Sequence, residues 1–305
     1  MRNEVSVDFY TVLVAHIKKW LPTIGRRLLS LIFLTLLGGL LSATLVRYSP
    51  GYGMDDRELD PRLSESSIEA IRNERHQDAN LVKYYATYLA AAAHGDFGTS
   101  ESLRRPIAAL ILQRFPVTAR SVILGVASAW SLALALSVLS LAFKGWLPEL
   151  SGAVLTGFLL SLPSAVVALV FLYLRGPVFL ALAVVIFPKL FRFTRNLLLH
   201  ADDQPHVLAA RARGVGPCNI FLHHVIPTAT PALLALLGIS LSIGFGAAIP
   251  IEALCDSPGL GQLAWYAAIN RDLPLVMNLT LIVTLVTVAS NILAGFSSNA
   301  MVRQS

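Results

Sequence analysis

The sequence predicts an all-α, polytopic membrane protein of about six transmembrane helices. It adds one large polar loop on the outer side and a helical knob on the cytoplasmic side. Three observations carry this. Of 305 residues, 55% are hydrophobic and only 14% charged, against about 25% charged in soluble domains. Several apolar runs reach the roughly 18–20 residues that cross a bilayer as a helix. These runs are too long and unbroken for barrel strands, and in hydrocarbon only helices or closed barrels satisfy the backbone.

The net charge of +6 does not signal a nucleic-acid partner, because the basic residues are spread over loop ends with no basic and aromatic groove pattern. Positive-inside topology explains the excess. The two cysteines, Cys218 and Cys255, fall in loops expected on opposite faces, so no disulfide framework is implied.

Residues 1–27 form a cytoplasmic lead. Val5 to Trp20 mixes apolar residues with Lys18 and Lys19, as an interfacial helix or a cytoplasmic tail would. Arg26 and Arg27 anchor a first span at 28–46. A signal peptide is disfavoured by the long lead, the long apolar run and the lack of a small-residue cleavage site. Residues 47–115 form the large extracytoplasmic loop. Ser66 to Glu69 reads as a capping box. Leu81, Tyr84, Tyr85, Tyr88, Leu89 and Ala92 make one packing face of a second helix. The loop closes on Gly95-Asp96-Phe97-Gly98, two glycines bracketing a turn in which Asp96 bonds neighbouring N–H groups.

Residues 116–296 hold five further spans. The second is expected at 119–142, after Pro116, with Lys144 in a short inside turn. The third is expected at 150–174, kinked at Pro163. Arg175-Gly176-Pro177 turns the chain outside. A short fourth span at 177–191 ends in Lys189, Arg192 and Arg195. The fifth covers 228–250, where Gly238, Gly244 and Gly246 allow close helix approach. The sixth covers 275–296, and 297–305 is a cytoplasmic tail. Twelve Lys and Arg then lie in short inside segments, against Arg175 and Arg271 in the short outside loops. Both termini are therefore expected in the cytoplasm.

The loop at 200–227 is the only long polar interruption in the C-terminal half. Good helix formers run from Val207 to Arg213. Gly214 suits a left-handed helix end, and Pro217 cannot continue that helix. A second apolar piece begins at Phe221 and is expected to stop at Pro227. The product is a helix-turn-helix knob rimmed by Arg211 and Arg213, which fits either docking into a partner's groove or packing on its own protein. Asp202 and Asp203 read as a charge cluster at the N-terminus of the knob helix. The outer loop at 251–273 carries Pro258-Gly259-Leu260-Gly261, a rigid then permissive turn. A short amphipathic piece follows from Gln262 to Ile269, then Arg271 and Asp272. It reads as a surface hairpin, or as a plug or docking surface.

Chemistry-bearing patterns are missing. There is no Walker-type phosphate loop, no H-E-x-x-H, no C-x-x-C and no G-x-S-x-G. His223 and His224 have no carboxylate at ligand spacing. No cofactor and no metal are expected. No acid or His is expected at mid-membrane, where a self-powered carrier would need one, so energy must come from a partner.

The knob resembles the coupling loop of ABC-importer membrane subunits, of form E-A-A-x3-G-x9-I-x-L-P. Ala209, Ala210, Gly214 and Pro227 match, Ile226 stands at the leucine position, and Leu208 and His224 depart. More widely, residues 26–296 resemble the dipeptide/oligopeptide/nickel branch of those permeases. That likeness rests on Gly95-Asp96-Phe97-Gly98-Thr99-Ser100, on Arg114 to Thr118, and on Glu252 ahead of the PGLG turn with Arg271 and Asp272 beyond. The resemblance implies an inner-membrane permease subunit working by alternating access, with peptides as the default cargo. It implies a second homologous permease, cytoplasmic ATPase subunits gripping the coupling helix, and an extracytoplasmic solute-binding protein. The outside turn at 175–177 is shorter than usual for the branch, and the tail lacks its usual acidic ending. A non-transporting scaffold descended from a permease is the alternative.

Overall fold

In the computed structural model, residues 29–45, 81–142 and 146–302 are described, with residues 25 and 48. The lead before residue 25 and the capping box at 66–69 lie outside the described residues. Among the described residues, eleven α-helices follow in order: α1 (Leu29–Leu45), α2 (Leu81–Ala93), α3 (Ile107–Ala142), α4 (Trp146–Ser161), α5 (Ser164–Tyr173), α6 (Val178–Asp202), α7 (Pro205–Ala212), α8 (Pro217–Ile220), α9 (Ile226–Leu254), α10 (Leu260–Ile269) and α11 (Leu273–Val302). The only β pairing among these residues is an isolated bridge between Thr99 and Pro106.

Three continuous helical stretches are long and apolar enough to cross a membrane: 107–142, 217–254 and 273–292. The pair α4 and α5 makes a fourth if it is one span. The apolar windows of the three are only 33%, 33% and 28% buried within the chain. Most of each span therefore faces outward, which suits lipid and neighbouring subunits rather than water.

The bundle is built around α6, which packs along α3 and touches α4, α5 and α9. Its buried face carries Leu182, Ile186, Phe187, Leu190 and Phe191. Close approach of α3 depends on Gly125, where a Cβ would lie 2.8 Å from Leu182 Cβ and 3.0 Å from the Phe179 carbonyl. Gly244 of α9 serves the same junction, since a Cβ there would meet Val122 Cγ1 at 2.9 Å. Trp130 Nε1–H donates to Ser240 Oγ at 2.9 Å, joining α3 to α9. Ser242 Oγ–H donates to the Thr287 carbonyl at 2.8 Å, joining α9 to α11.

Four elements differ from the sequence reading. Helix α3 begins at Ile107 and passes through Pro116. The extra turns are held because Ile107, Leu110 and Ile111 pack on Leu260, Leu263, Leu275 and Leu279. The expected kink at Pro163 is a full break, with α4 and α5 meeting at 89°; Pro163 takes an extended ψ of 139° and starts a new helix. Helix α6 runs through Pro188 to Asp202 and is not a short span ending near 191. The piece at 217–225 does not stop at Pro227. A π-helical turn at Phe221–Val225, closed by the Ile226 N–H on the Phe221 carbonyl, carries it straight into α9. Such a wide turn fits Pro227, which has no N–H for the regular ladder.

Candidate functional site

The turn at 95–100 and the loop at 251–273 meet each other. Glu252, in the last turn of α9, is fully buried. Its Oε2 accepts the Thr118 hydroxyl at 2.9 Å and the Gly261 N–H at 2.8 Å. Thr118 Oγ1 in turn accepts the Leu260 N–H at 2.8 Å. One carboxylate oxygen thereby pins the start of α10 to α3 and α9. The glycines are required by space. A Cβ on Gly259 would sit 2.1 Å from Glu252 Oε2, and one on Gly261 would sit 2.7 Å from the Ile249 Cα and carbonyl oxygen. Pro258 is exposed and Leu260 buried, so the turn presents its ring outward and anchors inward. Asp256, at φ +52°, precedes it and accepts the Gln262 amide. Gln262 Oε1 also accepts Arg114 Nη1–H at 2.9 Å.

Asp272 is the second latch. It is buried, and its Oδ2 accepts the hydroxyls of Ser100 and Ser102 and the Ser102 N–H at 3.0 Å. Its Oδ1 accepts the Leu275 N–H at 3.1 Å, capping α11. Arg271 precedes it at φ +52° and is exposed. The Gly95–Ser100 turn is held from both sides. Gly95 and Gly98 have φ of +85° and +70°. The Gly98 N–H donates to Asp96 Oδ1 at 2.9 Å, and Asn278 Nδ2–H donates to the Phe97 carbonyl at 3.0 Å. Tyr88 Oη–H reaches Asn278 Oδ1 at 2.6 Å, and Tyr85 Oη–H the Leu36 carbonyl at 2.7 Å. Tyr85 and Tyr88 thus pack α2 on α1 and α11, and burial pushes the Tyr88 phenol up, with Tyr85 beside it adding to the shift. Asp272→Asn leaves only one oxygen for four donors. It is expected to cost about 1.5–3 kcal/mol, the value of a hydrogen bond to a charged group, and to expose residues 95–105 to protease in detergent.

The knob at the other end has its own core. Leu198, Ala201, Val207, Ala210, Ile220, Val225 and Ala229 are buried together. Gly214 turns between α7 and α8 at φ +79°, and a Cβ there would meet nothing within 4 Å. Ala209, Arg211, Arg213 and Gly214 are exposed, whereas Ala210 is fully buried and packs on its own chain. Ile226 is half-buried and Pro227 exposed. Leu208 and Leu222 are 51% and 55% exposed at the surface of the knob. The aspartates are not an N-terminal cluster on α7. Asp202 is the buried last residue of α6 and pairs with Arg211, tying the knob helix to its support. Asp203 caps α6 and Gln204 opens α7. His206 and His224 stack with ring centroids 6.3 Å apart, and among the described residues no group of His, Cys, Asp and Glu could hold a metal.

Sequence reasoning found Glu252, Asp272 and the glycines but not their partners. Ser102 and Asn278 stand outside every motif, and Ser100 and Thr118 lie in the Gly95–Ser100 and Arg114–Thr118 motifs without showing their partners; the meeting across the fold gives all four a role.

Residues 131–304 match the family described as the binding-protein-dependent transport system inner membrane component. The chain belongs to that family. This permease is similar over most of its length to relatives named for peptide transport. A peptide transport system permease protein of Brucella suis is 30% identical over 257 residues, covering 75% of this chain and 82% of that protein. A peptide permease protein of Brucella ovis is 26% identical over 297 residues, covering 86% and 93%. The oligopeptide transport system permease protein AppB of Bacillus subtilis is 25% identical over 286 residues, covering 84% and 90%. Among solved structures, the MetNI methionine ABC transporter in an inward-facing form matches with a TM-score of 0.56 at 20% identity, over 65% of this chain and 97% of that one. The permease is a membrane-spanning transport subunit of an ABC importer, not its ATPase. The comparisons give no support to a non-transporting scaffold.

Proposed function

We propose that this permease forms half of a peptide pathway, opposite a second homologous permease, in the bacterial inner membrane. Six spans would place both termini and the 203–225 knob in the cytoplasm. Residues 47–115 and 251–273 would then lie outside. The ATPase subunits would grip the knob at Ala209, Arg213, Gly214 and the apolar side chains of Leu208 and Leu222. ATP-driven closure of the ATPases would move α6 and α9 together, because the knob is continuous with both helices. The latched outer loops, built on Glu252 and Asp272, would meet the solute-binding protein.

The observation that carries this reading is the build of the knob. It has a private core and an internal ion pair, yet leaves apolar residues and a left-handed glycine exposed. A rigid piece of this kind transmits a push, where a floppy loop would absorb it. The names of the relatives support the peptide cargo. Reconstitution with the ATPases, the second permease and the binding protein is expected to give ATP hydrolysis stimulated several-fold by binding protein plus peptide. Equal hydrolysis with and without peptide would count against the reading.

A further inference from the structure

One charged side chain, which the sequence puts at the cytoplasmic end of a short fourth span, lies well inside a longer helix. Lys189 lies near the middle of α6, eleven residues from its first residue, Val178, and thirteen from its last, Asp202. Its level in the bundle is set by neighbours. Arg195 Nε–H donates to Ser140 Oγ at 2.8 Å, close to the end of α3 that abuts the knob. Lys189 is six residues deeper, about 9 Å along the axis. On its other side, Leu182 faces Gly125 of α3, seven residues and about 10 Å further out.

Lys189 lines a cavity of about 430 Å³ with Leu162, Ser164, Val185, Gly246 and Pro250. The 89° break between α4 and α5 opens this space, and Gly246 offers it no side chain. Among the described residues Lys189 has no ion-pair partner. From Lys189 toward the knob, α6 shows an exposed stripe of Arg192, Asn196 and His200, with Phe193 exposed beside them. Steps of three and four residues put all four on one face. The opposite face of α6 is buried against the other helices. With α6 as the fourth of the six proposed spans, a row of charged and polar side chains turned to lipid would be costly, and such residues in spans face a water-filled path or a partner.

We infer that this cavity is a cargo subsite in the pathway, and that the Lys189 ammonium takes a carboxylate of the solute. The stripe below it lines the exit toward the cytoplasm. An anionic group leaving Lys189 meets Arg192 next, so release is stepwise and not into hydrocarbon. The cation also sets a charge preference: a solute with a free carboxylate is favoured over its neutral amide. This inference rests on the peptide reading for its probe, but the cavity and stripe are observations of their own.

The test has two arms in the full reconstituted transporter. First, uptake of trialanine with a free C-terminus is measured for the wild type, Lys189→Met and Lys189→Arg, with membrane amounts matched. The expected result is a KM raised about tenfold by Lys189→Met, a smaller change in kcat, and recovery with Lys189→Arg. An unchanged KM in Lys189→Met, or equal loss in both variants, would overturn the carboxylate assignment. Second, Lys189→Cys, with Cys218 and Cys255 replaced by serine, is treated with a charged, membrane-impermeant thiol reagent. Labelling places the position in water inside the pathway; no labelling in any nucleotide state would overturn the subsite. Should the wild type take up no peptide, the cargo reading fails, and the labelling arm still decides whether Lys189 lines the path.

Discussion

Replacing Gly259 by alanine is expected to destabilise the permease by about 3–5 kcal/mol and to deplete it from the membrane. The added methyl would lie 2.1 Å from Glu252 Oε2 and 2.4 Å from its carboxyl carbon. That carboxylate cannot swing aside freely, because Thr118 and Gly261 hold it and the side chain is fully buried. Overpacking alone costs about 1–3 kcal/mol, and each hydrogen bond to a charged group that is lost adds about 1.5–3 kcal/mol. The melting temperature of purified protein in detergent measures the effect. The contact also predicts coupling between the two positions. Glu252→Ala empties the space that the methyl needs, so Gly259→Ala added to Glu252→Ala is expected to cost less than Gly259→Ala alone. Additive losses would show that the two groups do not meet. Glu252→Gln keeps an acceptor oxygen for Thr118 and Gly261, and its loss is expected to be smaller than that of Glu252→Ala.

Gly214→Val is expected to leave the permease in the membrane and cut coupled uptake more than tenfold. The position is open, so no clash arises. The cost is in the backbone, where a φ of +79° is about 1–2 kcal/mol unfavourable for a residue with a Cβ and worse for a β-branched one. The knob can relieve that strain only by re-aiming α7 against α8, which moves Leu208 and Arg213 relative to Leu222. The bundle core lies elsewhere and keeps its stability. Gly214→Asn separates backbone conformation from side-chain bulk, because asparagine tolerates the left-handed region. It is expected to retain most uptake. Peptide transported per ATP hydrolysed, measured in proteoliposomes, reads the difference. Equal loss for valine and asparagine would mean that the partner needs a bare backbone there, not this turn.

Fold and site differ in how far they could be read from the chain. Apolar runs show spans directly, since each span is a local property of about 20 residues. The glycines were legible for a similar reason: a run of helix formers followed by Gly214 implies a left-handed end, and φ there is positive. Helix ends were less legible. Pro116 and Pro227 read as boundaries, yet both lie within helices, because packing of Ile107 and Val225 outweighs one missing hydrogen bond each. Pro163 read as a kink and is a break. The charges from Lys189 to Arg195 read as the end of a span, yet α6 runs on to Asp202. That reading misplaced two residues. With α6 ended near 191, Asp202 fell on the wrong helix and Lys189 at a membrane surface. The bonds of Thr118 to Glu252 and of Ser100 to Asp272 could not be read, since the partners lie 134 and 172 residues apart.

In the proposed assembly the 203–225 knob docks on an ATPase. Cys218 is exposed on that knob and offers a native handle, while Cys255 is partly buried at the far end of α9. Burial pushes the Cys255 thiol up, so it holds less of the reactive thiolate at neutral pH than an ordinary cysteine. A maleimide bearing a photoreactive group, attached at Cys218 in native membranes, would be irradiated with and without ATP and the captured proteins identified by mass. The predicted result is capture of a protein carrying a Walker-type nucleotide site, with a yield that changes with ATP. Capture of lipid alone, or of segments of this same chain in both conditions, would rule out ATPase docking and leave the knob a connector that packs only on its own protein.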